Sequence, residues 1–350
     1  MRFIHIADVH LGAQPDAGTA YSSGRAQEIW DSFSRVISLC EEEKTDLLLI
    51  AGDLFHRQPL LRELKEVNYL FSTLSHTQVV LIAGNHDYIK KGSYYRTFQW
   101  CENVHPLFGS EMGYVMLKEY DLAVYGLSYH TREIREERYS IKAPLAAAHE
   151  ILLAHGGDEK HIPIRKEILE SSGFDYIALG HIHKPQAVIR NMALYAGALE
   201  PVDRNDTGGH GFVRGEITEN GVNVEFIPFA SREYIHLALR VNEKMTNGSV
   251  KNHIQSTIES RGTQNIYKFI LRGYRDADVE FDTEHMDIYG NILEIEDQTR
   301  AAYNYEELYE QNRDNLIGKF IEQFQGYEED SMEYQALQEG VQALLENCLR

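Results

Sequence analysis

Cysteine is scarce in this 350-residue chain: Cys40, Cys101 and Cys348 stand far apart and form no CxxC pair. That argues against a disulfide framework or a thiolate zinc site, and a reducing cytoplasm is the expected compartment. Long apolar runs are missing as well. No stretch of about eighteen apolar residues occurs, so no membrane span is expected. The opening MRFIHIADVH has no apolar core of the kind a signal peptide needs. Basic charge is the third shortage, with 34 Lys and Arg against 54 Asp and Glu and a net charge of -20. Proteins that grip nucleic acid over a broad face are usually basic. Any phosphate substrate must therefore be drawn in locally, by metal ions or by a confined basic patch. No internal repeat, heptad array, Walker loop or low-complexity linker is visible.

What the chain does have is a set of short apolar runs that each end in polar residues. FIHIA (3–7) leads into Asp8-Val9-His10, DLLLIAG (46–52) into Asp53, and VVLIAG (79–84) into Asn85-His86-Asp87. ILLA (151–154) leads into His155, and YIALG (176–180) into His181-Ile182-His183. Continuous Val/Ile/Leu runs of this length, several bounded by Gly, read as fully buried strands. Ile29, Trp30, Phe33, Val36, Ile37 and Cys40 mark a helix between the first two runs, and Leu64, Val67, Leu70, Phe71 and Leu74 mark another between the second and third. The order predicts an α/β layered core, with ligands bound beyond the carboxyl ends of the strands.

Any one of these histidines alone reads more simply as a surface or satisfied core residue, and Asp or Asn after a strand is a common turn or cap residue. Five strand ends carrying the same donor types point elsewhere. Carboxylate, amide and imidazole without thiolate suit Mn²⁺, Fe²⁺ or Zn²⁺. About seven donors exceed one tetrahedral site, and two ions sharing a carboxylate account for them. Asp8 and His10, like His181 and His183, are two apart, a spacing that in extended backbone points both side chains the same way.

The motifs DVH (8–10), GDLFHR (52–57), GNHD (84–87), HGG (155–157) and GHIH (180–183) resemble, in order and spacing, those of the calcineurin-like metallophosphoesterase superfamily. IADVHLG, AGDLFHRQP and GHIHKP, with YAGALEPVDRNDTGGHGF (195–212), are most similar to its DNA-repair exonuclease branch, the SbcD-type nuclease subunit. The resemblance implies a core of central β-sheets flanked by helices over residues 1–230. It implies one metal on Asp8, His10 and His183, a second on Asn85, His155 and His181, and Asp53 bridging both. His86 would be the non-ligand catalytic histidine, and His56 a second histidine near the substrate phosphate. Asp87 is expected to orient a neighbouring histidine or cap a helix. The protein phosphatases of the superfamily carry Asp-Arg-Gly after the second motif, where Phe55-His56-Arg57 stands here.

From about Ser231 the pattern changes. Strands at 234–241, 265–274 and 290–297 and a helix at 249–260 resemble the α+β cap of SbcD-type nucleases, spanning 231–300. Lys244, Lys251, Arg261, Lys268, Arg272 and Arg275 could meet DNA phosphates or be ordinary solvated charges. Residues 301–350 are helical in pattern and carry three basic against eleven acidic residues. Leu308, Leu316, Ile317, Phe320, Ile321 and Phe324 could line one face, and Tyr334, Leu337, Val341, Leu344 and Leu345 another. By resemblance this tail would clamp an SbcC-type coiled-coil ATPase; the simpler reading packs it on its own domain. The expected function is a two-metal DNA exonuclease or endonuclease acting in repair, with Mn²⁺ the first candidate ion; the resemblance implies that a homodimer, if formed, would use the helix around Leu61–Leu74. A small-molecule (nucleotide) phosphodiesterase and a docking protein of marginal activity stay open. Cleavage polarity and strandedness cannot be read from the sequence.

Overall fold

The computed structural model describes residues 1–324, 326–328 and 331–348; the side chain of Cys348 lies outside the described residues. The chain divides into two compact units, Met1–Ile235 and His236–Arg350. The first unit opens with β1 (Arg2–Ile6), α1 (Arg25–Glu42), β2 (Leu47–Ala51), α2 (Leu61–Ser72) and β3 (Gln78–Ile82). β4 (Val104–Pro106), β5 (Gly113–Leu117), β6 (Leu122–Gly126), β7 (His149–His155), α3 (Lys166–Glu170) and β8 (Tyr176–Gly180) follow. β9 (Gln186–Ile189), β10 (Ala193–Tyr195), β11 (Gly211–Thr218) and β12 (Gly221–Pro228) complete it.

These strands make two six-stranded sheets, ordered β12-β11-β1-β2-β3-β4 and β5-β6-β7-β8-β10-β9. β1 to β4 run parallel in the first, with β11 antiparallel to β1. β6, β7, β8 and β10 run parallel in the second. The uninterrupted apolar runs follow from burial on both faces. Leu47, Leu49 and Ala51 of β2 meet Ile151 and Leu153 of β7 and Tyr176 of β8 in a core between the sheets. Leu48 and Ile50 turn the other way, onto Phe33 and Val36 of α1 and Leu64 and Val67 of α2. Leu152 and Ile177 cover the far side with Leu169 of α3 and Phe174. This is the α/β layering expected from the strand-end pattern.

Register aligns the strand ends, since Ile50 sits opposite Ile6, Ile82 opposite Ala51, and Gly180 opposite His155. Every donor-bearing loop therefore leaves from the same end of its sheet. Only glycine fits where the two sheets converge: a Cβ on Gly180 would lie 2.0 Å from Ala51 O and 3.0 Å from the Ala7 Cβ. Gly180→Ala is expected to cost about 1–3 kcal/mol and to displace His181, readable as a lower denaturation midpoint with weaker Mn²⁺ binding. Wild-type values for both would show that the sheets can part at no cost.

His5 stands out in this core, fully buried on β1 with Nδ1 2.9 Å from the Tyr176 hydroxyl. Burial pushes its pKa down from 6.5 to about 3. The unfolded chain takes up a proton near pH 6.5 that the folded chain refuses, so stability is full above that value. It is lost as pH falls towards 3, by up to about 1.4 kcal/mol per pH unit. His5→Gln is expected to flatten the acid limb of urea-unfolding stability between pH 4.5 and 6.5. An unchanged slope would exclude His5 as its source.

The second unit's sheet, β13 (Tyr234–Val241), β14 (Ile266–Asp276) and β15 (Ile292–Ala302), carries α4 (Asn247–Arg261) between its first two strands. β14 and β15 pair in parallel through eleven-residue strands, a direction the sequence pattern does not reveal. Helices α5 (Tyr305–Asn312), α6 (Leu316–Gln323) and α7 (Met332–Cys348) follow. Ile317, Ile321, Leu337 and Val341 make their shared core, with Leu308, Phe320, Phe324, Tyr334, Leu344 and Leu345 packed on it. Leu316 departs from its expected apolar face, being 66% exposed. Of the six cations read as DNA-phosphate contacts or ordinary solvated charges, four contact their own unit. Lys251 donates to His285 O, Lys268 bridges Glu294 and Glu296, Arg272 donates to Gln298, and Arg275 donates to Val279 O.

Candidate metal centre

Asp8, His10, Asp53, Asn85 and His155 are buried at the joined strand ends, while His181 and His183 line the rim. The turn that carries them is not extended. Asp8, His10, Asp53 and His181 have φ of +49°, +53°, +50° and +97°, a left-handed region that residues other than glycine rarely enter. Strand pleat thus does not explain the pairs two residues apart; left-handed turns aim these side chains. Four such residues in one pocket mark a place where fold stability is spent on geometry. Backbone bonds hold the turns: Asp8 N–H donates to Gly52 O at 3.1 Å, His10 N–H to Asp53 O at 3.0 Å, and Leu11 N–H to Leu54 O at 2.9 Å.

The side chains gather into overlapping sets. Donor atoms of Asp8, His10 and His183 lie within 4.8 Å of one another, as do those of Asp8, Asp53 and His155. His10 Nε2 is 3.1 Å from His183 Nε2. Asn85 Oδ1 lies 2.8 Å from His155 Nε2 and 3.0 Å from His181 Nδ1. The His155 Nδ1–H donates to Ala51 O at 2.9 Å, so Nε2 is the ring nitrogen that faces Asn85 Oδ1 and, at 3.4 Å, Asp53 Oδ2. Carboxylate, amide oxygen and imidazole donors without thiolate converge here around an Asp53 held ionised, and this donor set fits divalent cations. Asp53 also accepts the His86 N–H at 2.8 Å on its other oxygen.

The electrostatics agree. Burial alone would push the Asp53 pKa up, but the charge and hydrogen bond of His155, then His10 and His86, hold it below the ordinary carboxylate range. Burial lifts Asp8 to about 6 against the pull of His155 and His183. Burial works against charge on His155 and His183 too, yet Asp53 raises the first, and Asp206 with Asp8 the second, each to about 9. Buried carboxylates here demand positive charge from whatever faces them.

His86 and His56 flank the donors, and their ring nitrogens lie with one of His10 within 4.8 Å of one another, a further grouping that could hold a cation. His86 Nδ1–H donates to His56 O at 3.0 Å, which leaves Nε2 without a hydrogen bond among the described residues. The His86 ring lies 4.8 Å from that of His10 and 5.1 Å from that of His56. His56 Nδ1 is 3.4 Å from His10 Nδ1, and burial with the nearby His86 charge lowers its pKa. Asp87 does neither of the jobs expected of it. Its carboxylate accepts from Gly84 N–H, Phe55 N–H and Tyr95 Oη, at 2.8, 3.3 and 2.9 Å, and so ties the second and third motif loops together.

Several residues in this network carry no motif signal. Tyr139 Oη accepts the His155 N–H at 2.9 Å, and Tyr129 Oη donates to His155 O at 3.0 Å. Asp158 and Asp206 contact His181 and His183. Asp158, three residues past His155, and Asp206, ahead of a Gly-Gly pair, look in the sequence like ordinary turn residues.

A profile described as calcineurin-like phosphoesterase matches residues 1–185. A Bacillus subtilis protein named uncharacterized metallophosphoesterase YhaO is 27% identical over 299 residues, spanning 78% of this chain and 72% of that protein. The DNA double-strand break repair protein Mre11 of Methanocaldococcus jannaschii is 27% identical over 71% of this chain and 72% of its own length. The D component of nuclease SbcCD from Staphylococcus saprophyticus is 23% identical across 99% of both chains.

Proposed function

This chain belongs to the calcineurin-like phosphoesterase family, and we propose that the phosphodiester bonds it hydrolyses are those of DNA. The observation that carries the reading is a pocket of seven convergent metal-type donors and, beside them, an imidazole nitrogen, His86 Nε2, that has no hydrogen bond among the described residues. In this reading Asp8, His10 and His183 hold one divalent ion, Asn85, His155 and His181 the other, and Asp53 touches both. When bound, such ions supply Lewis-acid activation of water and offset charge on the phosphoryl oxygens. The chain's own groups do the rest. His86 protonates the leaving oxygen, oriented by the Nδ1–H bond to His56 O. His56, exposed at the rim, contacts a phosphate oxygen.

Mre11 and the SbcCD component, by their names a DNA-repair protein and part of a nuclease, support DNA as substrate. In the same reading residues 1–230 are the nuclease domain, 231–300 a DNA-handling module, and 301–350 a helical tail that docks a coiled-coil ATPase. Exposed Leu60, Leu61 and Tyr69 along α2 are the surface for a homodimer. Mn²⁺ is the ion of choice for mixed carboxylate and imidazole donors, with Fe²⁺ and Zn²⁺ also suited. One observation favours a second reading: a net charge of -20 repels a polyanion and suits a small nucleotide diester better. The deciding experiment is a Mn²⁺-dependent assay on linear duplex DNA with Asp53→Ala as blank. Release of nucleotides above that blank supports the nuclease. Turnover of a chromogenic diester with intact DNA would replace it by the small-molecule reading.

A further inference from the structure

Two loop carboxylates outside the seven donors stand behind the rim histidines. Asp206 Oδ2 lies 3.0 Å from His183 Nδ1, and Asp158 Oδ2 lies 2.8 Å from His181 Nε2. Both carboxylates are themselves fixed. The N–H groups of Val202 and Asp203 donate to Asp206 Oδ2 at 3.0 and 2.9 Å. Those of Lys160 and His161 donate to Asp158 Oδ1 at 2.7 and 2.9 Å. The loop bearing Asp206 is anchored below by the fully buried Arg25, which donates to Pro201 O at 2.5 Å.

An ionised carboxylate only accepts, so the ring nitrogen facing it carries the hydrogen and the other carries the lone pair. The two histidines are held in opposite senses. His181 presents Nδ1 to Asn85 Oδ1 at 3.0 Å, whereas His183 presents Nε2 towards His10 Nε2 at 3.1 Å. We infer that Asp158 and Asp206 are positioning residues that lock His181 and His183 in opposite tautomers, assigning one ring nitrogen to each of two metal ions. The inference rests on the metal-centre reading above. Asp206 then governs the ion shared with Asp8 and His10, and Asp158 the ion shared with Asn85 and His155. Carboxylates behind ligand imidazoles typically change metal affinity by about 10–100-fold. Asp158 has one competing role. Its donors and those of His161 and His181 lie within 4.8 Å of one another, close enough to hold a third ion.

Mn²⁺ titration calorimetry on the full chain tests this, with His10→Ala and Asn85→Ala marking which binding step belongs to which ion. Wild type is expected to bind two ions. Asp206→Asn should weaken the step that His10→Ala removes by about 10–100-fold, and Asp158→Asn the step that Asn85→Ala removes, each leaving the other step intact. Nitrogen-15 imidazole spectra of the chain loaded with diamagnetic Zn²⁺ should show Nε2–H at His181 and Nδ1–H at His183, each lost only in its matching variant. The spectra also verify that each variant is folded. Unchanged isotherms and spectra in both Asn variants would overturn the inference and leave the centre standing. Fewer than two ions in wild type, or both steps surviving His10→Ala and Asn85→Ala, would overturn the centre itself. A third ion lost only in Asp158→Asn would make Asp158 a ligand.

Discussion

Asp53→Ala is expected to lower phosphodiester hydrolysis by more than about 10³-fold, beyond the roughly 10²–10³-fold typical of losing one electrostatic donor. The larger effect follows from what the carboxylate touches. Its two oxygens face His86 N–H at 2.8 Å and His155 Nε2 at 3.4 Å, and its charge also acts on His10. Removing it takes a shared ligand from both proposed ions and the counter-charge from three imidazoles. Mn²⁺ binding should weaken in both steps, not one. Asp53→Asn keeps an acceptor for the His86 N–H and removes only the charge, so it separates positioning from electrostatics. It should lose nearly as much activity as Asp53→Ala, because an amide cannot bridge two cations as a carboxylate does. Near-wild-type turnover in Asp53→Ala, with its metal content measured, would end the two-ion reading.

The strand ends were legible because buried parallel strands leave an unambiguous trace. LLLIA cannot alternate when Leu48 meets α1 and α2 while Leu49 meets β7 and β8. Each run also stops where its donors begin, so the donor set could be read before any coordinates. The means by which the donors converge could not. A spacing of two suggested pleated backbone for Asp8 and His10, but positive φ at both is a tertiary outcome, imposed by bonds to Gly52 O and Asp53 O from the neighbouring strand. Asp158 and Asp206 were hidden for a related reason. Turn carboxylates are common, and nothing local says that these reach imidazoles 23 residues away. In the second unit the parallel pairing of β14 and β15 was equally hidden, since the fifteen-residue connection is long enough for a crossover but carries no helix pattern to announce one. Helix periodicity in the tail was clear. Which residues of α6 and α7 meet was not, and Ile317, Ile321, Leu337 and Val341 bury against one another.

His86→Ala is expected to do the opposite of Asp53→Ala with respect to metal: both ions stay and turnover falls by about 10²–10⁴-fold, the usual contribution of a positioned general acid. The geometry separates the two roles. Among the described residues, no donor atom of the proposed ligand set hydrogen-bonds to the His86 ring; its Nδ1–H is engaged by His56 O, and Nε2 has no committed partner. The neighbouring His10 ring at 4.8 Å and His56 ring at 5.1 Å keep it from turning without supplying a proton acceptor at Nε2. Loss of the side chain leaves its backbone N–H on Asp53 Oδ1, so the shared carboxylate stays in place. The sharpest test comes from leaving-group dependence. If His86 delivers the proton, a diester with a nitrophenolate leaving group, which needs little protonation, should lose far less rate in His86→Ala than a diester with an alkoxide leaving group such as a DNA 3′ or 5′ oxygen. Equal losses on both substrates, with two ions still bound, would place His86 in transition-state charge stabilisation and remove it from proton transfer.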